Sequence, residues 1–270
     1  MKVIISGSSG FIGSHLSKNL LLLDKEVIAA SRNVALNVNY RIKSYNELIN
    51  LYNGSSFLVH LAGSNLNIDL DINNEKETIK ELATVYKNKL IYISSATVYG
   101  SNSLEKVNEF SKINPLNSYA KNKLLCEKEV VKNGGIVLRV SNVFGPLMSN
   151  KSVFYDILKQ LCKKNIILEN FQAERDFIFI DDVCNAIKSV LDDPCEGIYN
   201  VSSGRGTSIK NICDIILELK GLDINNFNYI SKNKRKSTLI IDSSLFKRTF
   251  KWNRTTSLKQ GIKKLLTEEI

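Results

Sequence analysis

Three glycines near the amino terminus restrict the fold of this 270-residue chain more than any other feature. Gly7, Gly10 and Gly13 lie directly between an apolar run, residues 2–6, and a helical pattern that continues to about residue 23. Such glycines permit a tight turn, close approach of the backbone to a phosphate, and close packing of the helix on the strand. The spacing differs from the more familiar Gly-x-Gly-x-x-Gly. The loop predicts a turn that binds a dinucleotide pyrophosphate; the alternative is a glycine-rich turn without a ligand.

Short apolar runs alternate with helical patterns through the first half of the chain. Alternating buried strands and helices are typical of a parallel sheet that is covered on both faces. The pattern therefore predicts an α/β fold, a doubly wound Rossmann-type parallel sheet. The predicted strands are residues 2–6, 27–30, 57–60, 90–93 and 136–138, and the predicted helices are about 72–87 and 119–131.

The pattern changes after Pro146, but no repeat or long linker separates a second independent domain. We predict a dinucleotide-binding domain at residues 1–146 plus about 177–203. A small α/β substrate-binding lobe, about 147–176 plus 204–270, follows at its C-terminal side. The predicted elements here are helices at about 151–163, from 182, at 208–219 and from 257, and strands at 198–201 and near 238–241.

Tyr119 and Lys123 lie four residues apart in a predicted helix and therefore project from the same face. A phenol normally ionises near pH ~10, and a nearby ammonium favours the phenolate, so the tyrosine becomes a usable acid or base. Taken alone, the pair is more often a solvated helix face. A preceding cofactor loop and a hydroxyl donor on the neighbouring strand, both present in this chain, favour the catalytic interpretation.

The residues after the second predicted strand bear on the choice of cofactor. Folds that prefer NAD place an acidic residue there, bonded to the ribose hydroxyls. This chain has Ser31, Arg32 and Asn33 instead, so no carboxylate repels a 2′-phosphate and Arg32 is able to pair with one. This favours NADP(H) over NAD(H), which stays an option because Arg32 could also stack on adenine or face solvent.

Charge and cysteine content narrow the classes of partner. The formal net charge is +10, which we attribute to a lysine-rich composition or to a phosphate-bearing substrate; nucleic acid and membrane are not expected partners. The first apolar run is too short for a secretory signal or a membrane span. Five widely spaced cysteines without a Cys-x-x-Cys predict free thiols and no metal site, and we expect a cytoplasmic location.

Several further segments, together with the glycine loop and the Tyr119–Lys123 pair, resemble the extended short-chain dehydrogenase/reductase superfamily of nucleotide-sugar epimerases, dehydratases and 4-ketoreductases. The resemblance covers nearly the whole chain. The segments are His60-Leu61-Ala62-Gly63, Ile93-Ser94-Ser95-Ala96-Thr97-Val98-Tyr99-Gly100, Leu138-Arg139-Val140-Ser141-Asn142-Val143-Phe144-Gly145-Pro146, and Arg175-Asp176-Phe177 through Asp181-Asp182-Val183.

The resemblance implies a role for each matching residue. Ser95 would hydrogen-bond the C4 oxygen of the sugar, Tyr119 would exchange a proton with that oxygen, and Lys123 would assist the tyrosine and bind the nicotinamide ribose. Arg175, supported by Arg235 from the basic cluster at 232–236, would hold the diphosphate. The expected cofactor-binding residues are Gly7, Ser9, Gly10, Phe11, Ile12, Gly13, Ser31, Arg32, Leu61, Ala62, Gly63, Tyr119 and Lys123. The expected substrate-binding residues are Ser95, Thr97, Asn142, Arg175 and Arg235.

Departures from the family pattern narrow the reaction. Dehydratases of the family carry Asp-Glu after the catalytic hydroxyl, whereas this chain has Ala96 and Thr97, so dehydration is not expected. An NADPH-dependent reductase of 4-keto sugar nucleotides is favoured, and an NAD-dependent 4-epimerase is the alternative. A non-catalytic dinucleotide-binding sensor or RNA-binding protein is the distant third.

The resemblance also predicts the oligomeric state. Relatives often pair through two helices, here at about 72–87 and 118–131, so a homodimer is expected. Leu124 or Leu125 would then face outward and need cover.

Overall fold

The computed structural model describes residues 1–23, 25–33, 35, 37–63, 69–101, 105–233, 235 and 237–267, and only the backbone of residues 69–74. Within these residues the strands are β1 Lys2–Ser6, β2 Glu26–Ser31, β3 Tyr40–Arg41, β4 Phe57–His60, β5 Leu90–Ser95, β6 Ile136–Val140, β7 Asn142–Phe144, β8 Asn165–Leu168, β9 Glu174–Phe179, β10 Gly197–Val201, β11 Gly206–Ser208, β12 Asn228–Ser231 and β13 Thr238–Leu239. The α-helices are α1 Phe11–Leu21, α2 Asp69–Tyr86, α3 Ser118–Lys132, α4 Val153–Leu158, α5 Ile180–Asp192, α6 Ile209–Leu219, α7 Ser244–Phe250 and α8 Leu258–Thr267.

Seven strands form one parallel sheet in the order β10-β6-β5-β4-β1-β2-β3. From β1, the chain adds β2 and β3 on one side and β4, β5, β6 and β10 on the other. The direction of winding thus reverses beside β1, and ligands of such sheets bind at the carboxyl ends of the strands near the reversal. This confirms the predicted doubly wound fold.

Both faces of this sheet are buried, because successive side chains of a strand point to opposite faces. Val3 and Ile5 of β1 pack with Leu16 of α1, in a cluster that also includes α5. Ile4 of β1 packs on the other face, in a cluster that contains Ile79 of α2 and side chains of α3. The near-continuous apolar strands of the sequence are therefore explained by helices on both sides.

The second half of the chain builds two smaller sheets at the carboxyl edge of the large sheet. One has the order β11-β9-β13 with β7 paired to β9, and the other is the parallel pair β12-β8. Strand β9 crosses the expected boundary between residues 176 and 177. One apolar cluster includes Val3 and Ile216, which lie in the two predicted regions. The division into a domain and a lobe stays a prediction.

Two predicted elements are shorter than expected because hydrogen bonds to other parts of the chain replace those that would extend them. The helix predicted at 151–163 ends at Leu158, where Gln160 instead bonds the backbone of Ile167: its Nε2 donates to the carbonyl at 3.2 Å and its Oε1 accepts from the amide at 2.9 Å. The strand predicted at 238–241 ends at Leu239, because the carbonyl of Ile240 turns to the amide of Val107 at 2.9 Å.

Candidate active site

The glycine loop leads from β1 into α1 through backbone that requires glycine. Gly7 has φ +71°, and the amide of Gly10 donates to the Gly7 carbonyl at 2.9 Å. A Cβ on Gly13 would lie 2.3 Å from the Gly7 oxygen, so no larger residue lets α1 start this close to the loop. The unpaired amides at the start of a helix attract anions. The loop therefore fits a pyrophosphate.

A cavity of about 510 Å³ lies over this loop. Nine of the expected cofactor residues line it: Gly7, Gly10, Phe11, Ile12, Gly13, Leu61, Gly63, Tyr119 and Lys123. Six further lining residues were not among the expected cofactor residues: Ile93, Ser94, Val140, Ser141, Val143 and Ser149. All but Ser149 belong to the segments that carry the family resemblance, and that membership was the signal that could have placed them here.

Four expected cofactor residues are not among the lining residues. Ser9 and Ser31 share a hydroxyl–hydroxyl hydrogen bond of 2.7 Å, and the Ala62 amide lies 2.8 Å from where a Cβ on Gly7 would be. Arg32 is exposed, with its guanidinium carbon 4.8 Å from the centre of the Tyr45 ring. The pairing of Arg32 with a 2′-phosphate stays a prediction.

Ser95, Tyr119 and Lys123 lie together on the wall of this cavity. Ser95 is the last residue of β5, and its hydroxyl oxygen accepts hydrogen bonds from the amide of Thr97 at 3.2 Å and from the Thr97 hydroxyl at 3.0 Å. Both lone pairs of the Ser95 oxygen are thus engaged, and its own hydrogen is directed elsewhere. Ser95 is therefore arranged to donate a hydrogen bond into the cavity.

Helix α3 presents the other two members of the trio. Asn117 caps it by accepting from the amide of Ala120 at 2.8 Å, so Tyr119 lies in the first turn. Lys123 is buried, and its ammonium donates to the Ile93 carbonyl at 3.3 Å. The same ammonium lies 5.8 Å from the Tyr119 ring centre. The cation is therefore close enough to act on the phenol.

A carboxylate that the sequence did not single out also reaches Lys123. Glu75 of α2 places Oε1 3.9 Å from the ammonium, and its Oε2 accepts from Asn122 Nδ2 at 2.7 Å. Glu75 lies 48 positions before Lys123, and no local pattern links the two. Only the packing of α2 on α3 shows the contact.

The titratable side chains beneath the trio are uncharged near neutral pH. Burial, and then the charge of Lys123, lower the pKa of His60 to about 3. Burial raises the pKa of the Cys126 thiol to about 12 and raises that of Tyr92 well above its usual range. Of the described side chains around the trio, Lys123 and Glu75 therefore carry the opposing charges.

Two further cavities continue from the trio toward the smaller sheets. One of about 190 Å³ is lined by Ser95, Thr97, Asn142 and Arg175, among others. The next, about 590 Å³, is lined by Arg175 and Arg235, among others. Ser95 is shared by the first two cavities and Arg175 by the last two. Nine of the expected cofactor residues and all five expected substrate residues thus line three adjoining cavities.

A family model described as the NAD dependent epimerase/dehydratase family matches residues 3–202. The chain belongs to this family. This confirms the resemblance to extended short-chain dehydrogenase/reductase enzymes of nucleotide sugars.

Two curated relatives match part of the chain. A dTDP-L-rhamnose 4-epimerase from Burkholderia thailandensis is 28% identical over 139 residues, which cover 48% of this chain and 38% of that protein. A CDP-abequose synthase from Salmonella typhimurium is 27% identical over 141 residues, covering 48% and 46%. The chain thus matches less than half the length of either relative.

Solved structures of family enzymes share the fold over the whole chain. A dTDP-glucose 4,6-dehydratase from Bacillus anthracis in complex with NAD superposes with a TM-score of 0.86 at 20% identity, covering 100% of this chain and 96% of that one. A UDP-glucuronic acid 4-epimerase from Bacillus cereus gives 0.83 at 23% identity, covering 99% and 98%. The protein RMD from Pseudomonas aeruginosa, complexed with NADPH, gives 0.78 at 20% identity, covering 99% and 96%.

A buried ion pair of this family member ties β5 and α3, which carry the trio, to the neighbouring strand β6. Glu127 of α3 accepts from Arg139 of β6 in a bidentate pair, with Nη2–Oε2 at 2.6 Å and Nε at 3.1 Å from each oxygen, and also from Ser94 of β5. Arg139 donates to the Tyr99 hydroxyl at 2.9 Å, which donates to Asn200 of β10 at 2.8 Å. Glu127 follows Lys123 by four residues, so the two share one face of α3. This spacing was the sign in the sequence that Glu127 lies close to the trio.

Arg175 is already anchored by the protein. Its Nη1 donates to the carbonyls of Glu174 and Ser237, both at 2.8 Å, and its Nη2 donates to the Ser237 hydroxyl at 2.7 Å. Burial lowers the pKa of the guanidinium below its usual value. Three of the five N–H groups are thus engaged, which fixes the fork and leaves two for a ligand.

The other expected substrate residues are less constrained. Asn142 donates to the carbonyl of Asp176 at 3.0 Å. Arg235 is exposed, and its own carbonyl accepts from Asn170 at 2.6 Å. Two members of the basic cluster, Lys234 and Lys236, lie outside the described residues.

Some classes of site are missing from the described residues. Within them, no three His, Cys, Asp or Glu side chains cluster so that they could hold a metal ion. The five cysteines, all of which are described, are free thiols. None of the described helices is long and apolar enough to cross a membrane.

Proposed function

We propose that this protein is an NADPH-dependent reductase that acts on the C4 carbonyl of a 4-keto nucleotide-diphosphate sugar. The observation that carries the proposal is the position of Ser95, Tyr119 and Lys123, where the cavity above the glycine loop meets the cavities that lead to Arg175 and Arg235. A sugar at this junction, with its diphosphate toward the arginines, would present its reacting carbon to a nicotinamide in the first cavity.

The trio supports the proton chemistry that such a reduction needs. The bound cofactor supplies a hydride. Ser95 donates its free hydrogen to the C4 oxygen, and Tyr119 donates its phenol proton to the same oxygen as negative charge develops there. Lys123 holds positive charge beside the phenol, which stabilises the tyrosinate left behind. The two unengaged N–H groups of Arg175 suit the oxygens of a diphosphate.

The residues after the catalytic hydroxyl argue against dehydration. Elimination of water across two sugar carbons needs one group that removes a proton and another that protonates the leaving hydroxyl. Ala96 has no such group, and the Thr97 hydroxyl donates to Ser95. Reduction and epimerisation need neither group, so both stay consistent with the trio.

We propose NADPH as the reductant because residues 31–33 offer a cation and no carboxylate. The Arg32 guanidinium carbon lies 4.8 Å from the centre of the Tyr45 ring and the side chain is exposed, so the guanidinium is available to a 2′-phosphate. Arg32→Ala should remove most of the preference for NADPH, as measured by titrating NADPH and NADH against the variant and the unaltered protein. Arg248→Ala, an exposed arginine on α7, is the matched control and should keep it. Equal affinities for the two cofactors in the unaltered protein would contradict this choice.

The alternative function is an NAD-dependent 4-epimerase, and the partial match to a dTDP-L-rhamnose 4-epimerase supports it. An epimerase oxidises and then reduces the same carbon, so it retains its cofactor. Mass spectrometry of the nucleotide that co-purifies distinguishes the two functions: stoichiometric NAD(H) favours the epimerase. Loss of NADPH absorbance on addition of a 4-keto nucleotide sugar favours the reductase.

The same assay tests the third candidate, a dinucleotide-binding sensor or RNA-binding protein. Such a protein would bind NADPH and turn over neither a 4-keto nor a 4-hydroxy nucleotide sugar. A trio on the wall of the cofactor cavity favours catalysis, since binding alone does not require a proton donor.

A further inference from the structure

Glu75 brings a carboxylate into the proton-transfer site from a helix that carries none of the trio. Its side chain is 13% exposed and that of Lys123 is 6% exposed, with 3.9 Å between Glu75 Oε1 and the ammonium. Asn122 holds the other carboxylate oxygen at 2.7 Å. Burying a carboxylate is costly unless charge and hydrogen bonds compensate, so a group held here has a strong effect on its neighbours.

One oxygen of this carboxylate lacks a hydrogen-bond partner. Glu75 Oε1 is buried and accepts no hydrogen bond from the described residues. A Cβ on Gly63 would lie 3.0 Å from the Lys123 ammonium and 3.3 Å from this oxygen. Gly63 also lines the cofactor cavity, as does Lys123, and a larger side chain at position 63 would press on both the ammonium and the carboxylate.

We propose that Glu75 is a positioning residue that holds the Lys123 ammonium against α2 and keeps the Tyr119 phenol protonated until substrate is reduced. A lone ammonium beside a phenol favours the phenolate. A carboxylate 3.9 Å from that ammonium opposes its field, so the phenol retains its proton more firmly.

No other buried charge among the described side chains cancels the effect of Glu75 on Lys123. His60 of β4, Tyr92 of β5 and Cys126 of α3 are uncharged near neutral pH, as shown above. Of the other charges nearby, Glu127 is paired with Arg139, and Lys76 of α2 with Glu129 of α3 at 3.9 Å. Lys121, two residues after Tyr119, is exposed, so solvent screens its charge. Of the buried side chains that the structure describes, Lys123 and Glu75 therefore set the field at Tyr119.

This arrangement suits one direction of reaction, a consequence that rests on the proposed function. Reduction of a carbonyl begins with a protonated phenol, whereas oxidation of an alcohol begins with a phenolate. By favouring the protonated phenol, Glu75 favours reduction near neutral pH.

The test is a carbon-13 NMR titration of protein labelled at the tyrosine ζ carbons, without cofactor or substrate. Tyr119→Phe assigns the signal of Tyr119. In Glu75→Gln, the midpoint of the Tyr119 titration should fall by about 0.5–1 pH unit relative to the unaltered protein, since loss of one nearby charge has effects of this order. Glu77→Gln removes the same charge from an exposed position two residues further along α2 and should leave the midpoint unchanged.

An unchanged or higher midpoint in Glu75→Gln would overturn the proposal. If that variant does not fold, Glu75→Asp replaces it. The shorter side chain withdraws the carboxylate, so the midpoint should fall by less, and an unchanged value again contradicts the proposal. Because the titration uses no substrate, its result is independent of the reductase assay. A shifted midpoint in a protein that does not consume NADPH would support the positioning role of Glu75 and contradict the proposed reductase activity.

Discussion

At the scale of single residues, Tyr119 is the group that the proposed reaction depends on most. Tyr119→Phe should lower turnover of a 4-keto nucleotide sugar by about 10²–10⁴-fold, the usual contribution of general acid–base catalysis, while NADPH affinity is unchanged. Ser95→Ala should cost less, because it removes a hydrogen bond but not the proton. Lys123→Met should weaken both turnover and cofactor binding. Steady-state rates and NADPH titrations measure these effects.

The matched control is Tyr40→Phe, which removes a phenol hydroxyl from an exposed position on β3. It should leave turnover at the level of the unaltered protein. The smallest loss in the expected range is about 100-fold. If Tyr119→Phe retains more than roughly a tenth of the activity, its loss is smaller than that minimum. The proton would then come from another residue or from water.

His60 is a second residue with a measurable consequence. It lies at the end of β4, is 2% exposed, and shares a 2.9 Å hydrogen bond with the Ser6 hydroxyl. Burial, and then Lys123, lower its pKa to about 3, against about 6.5 in an unfolded chain. Between these values the unfolded chain binds a proton that the folded protein refuses. Keeping His60 neutral therefore costs the folded protein nothing above pH ~6.5, and it lowers the free energy of unfolding progressively as the pH falls toward 3.

We expect His60 to contribute up to about 1.4 kcal/mol per pH unit to this decrease. Urea unfolding at several pH values, with His60→Gln as comparison, isolates its share because the carboxyl groups are common to both proteins. The variant should lose stability less steeply than the unaltered protein between pH ~6.5 and ~3. Parallel curves would show that His60 accepts a proton in the folded state.

At the scale of elements, the Glu127–Arg139 pair joins α3 to β6, and Ser94 attaches β5 to the same carboxylate. Both side chains are nearly inaccessible, at 2% and 4% exposure. Removing one member of a buried pair leaves the other charge uncompensated, which typically costs about 3–5 kcal/mol. Glu127→Gln should therefore lower the free energy of unfolding by an amount of this order, as measured in urea.

The control for this pair is Glu218→Gln, which breaks the exposed Lys259–Glu218 pair between α8 and α6. Exposed ion pairs contribute about 0–1 kcal/mol. A similar loss in both variants would mean that the network around Glu127 does not secure β5, α3 and β6 to one another.

The sequence predicted well those strands and helices that local patterns of apolar residues reveal. Buried apolar runs predicted β1, β4, β5 and β6, and the helical pattern at about 119–131 predicted α3, because both patterns are local signals. Helix α4 was predicted too long, since the sequence does not show that Gln160 bonds Ile167 across the turn. Contacts of this kind depend on the return path of the chain.

The same reasoning explains which site residues were found. Ser95, Tyr119 and Lys123 belong to motifs of adjacent residues, and all three line one cavity. Glu75 reaches the site through the packing of α2 against α3, and no spacing along the chain indicates it. Sequence patterns thus located the groups that we propose to act directly, and missed the carboxylate that we propose to position Lys123.

At the scale of the whole molecule, the homodimer predicted through α2 and α3 needs a different physical basis. Leu124 or Leu125 was expected to face outward, but Leu124 is partly buried against the apolar cluster that contains Ala96 and Val98. Leu125 is only partly exposed. The outward side chains on these two helices are mostly charged, so an apolar four-helix interface has little support from α3.

Charge complementarity supports the dimer instead. Helix α2 exposes Glu77 and Glu81 beside Lys80, whereas α3 exposes Lys121 and Lys128. In a twofold-symmetric interface, both protomers contribute the same surface. A twofold axis would therefore place α2 of one protomer against α3 of the other. Acidic positions would then face basic ones. We therefore predict a dimer at low ionic strength that weakens as added salt screens these charges.

Light scattering at micromolar protein concentration tests this prediction. Lys128→Glu should yield monomer in low salt, because it places like charges opposite one another and repulsion between exposed charges is strongest there. Lys220→Glu makes the same change at an exposed position just beyond α6 and should leave the dimer intact. A monomer in every buffer would contradict the dimer itself. A dimer that withstands both high salt and Lys128→Glu would mean that the protomers meet through another face.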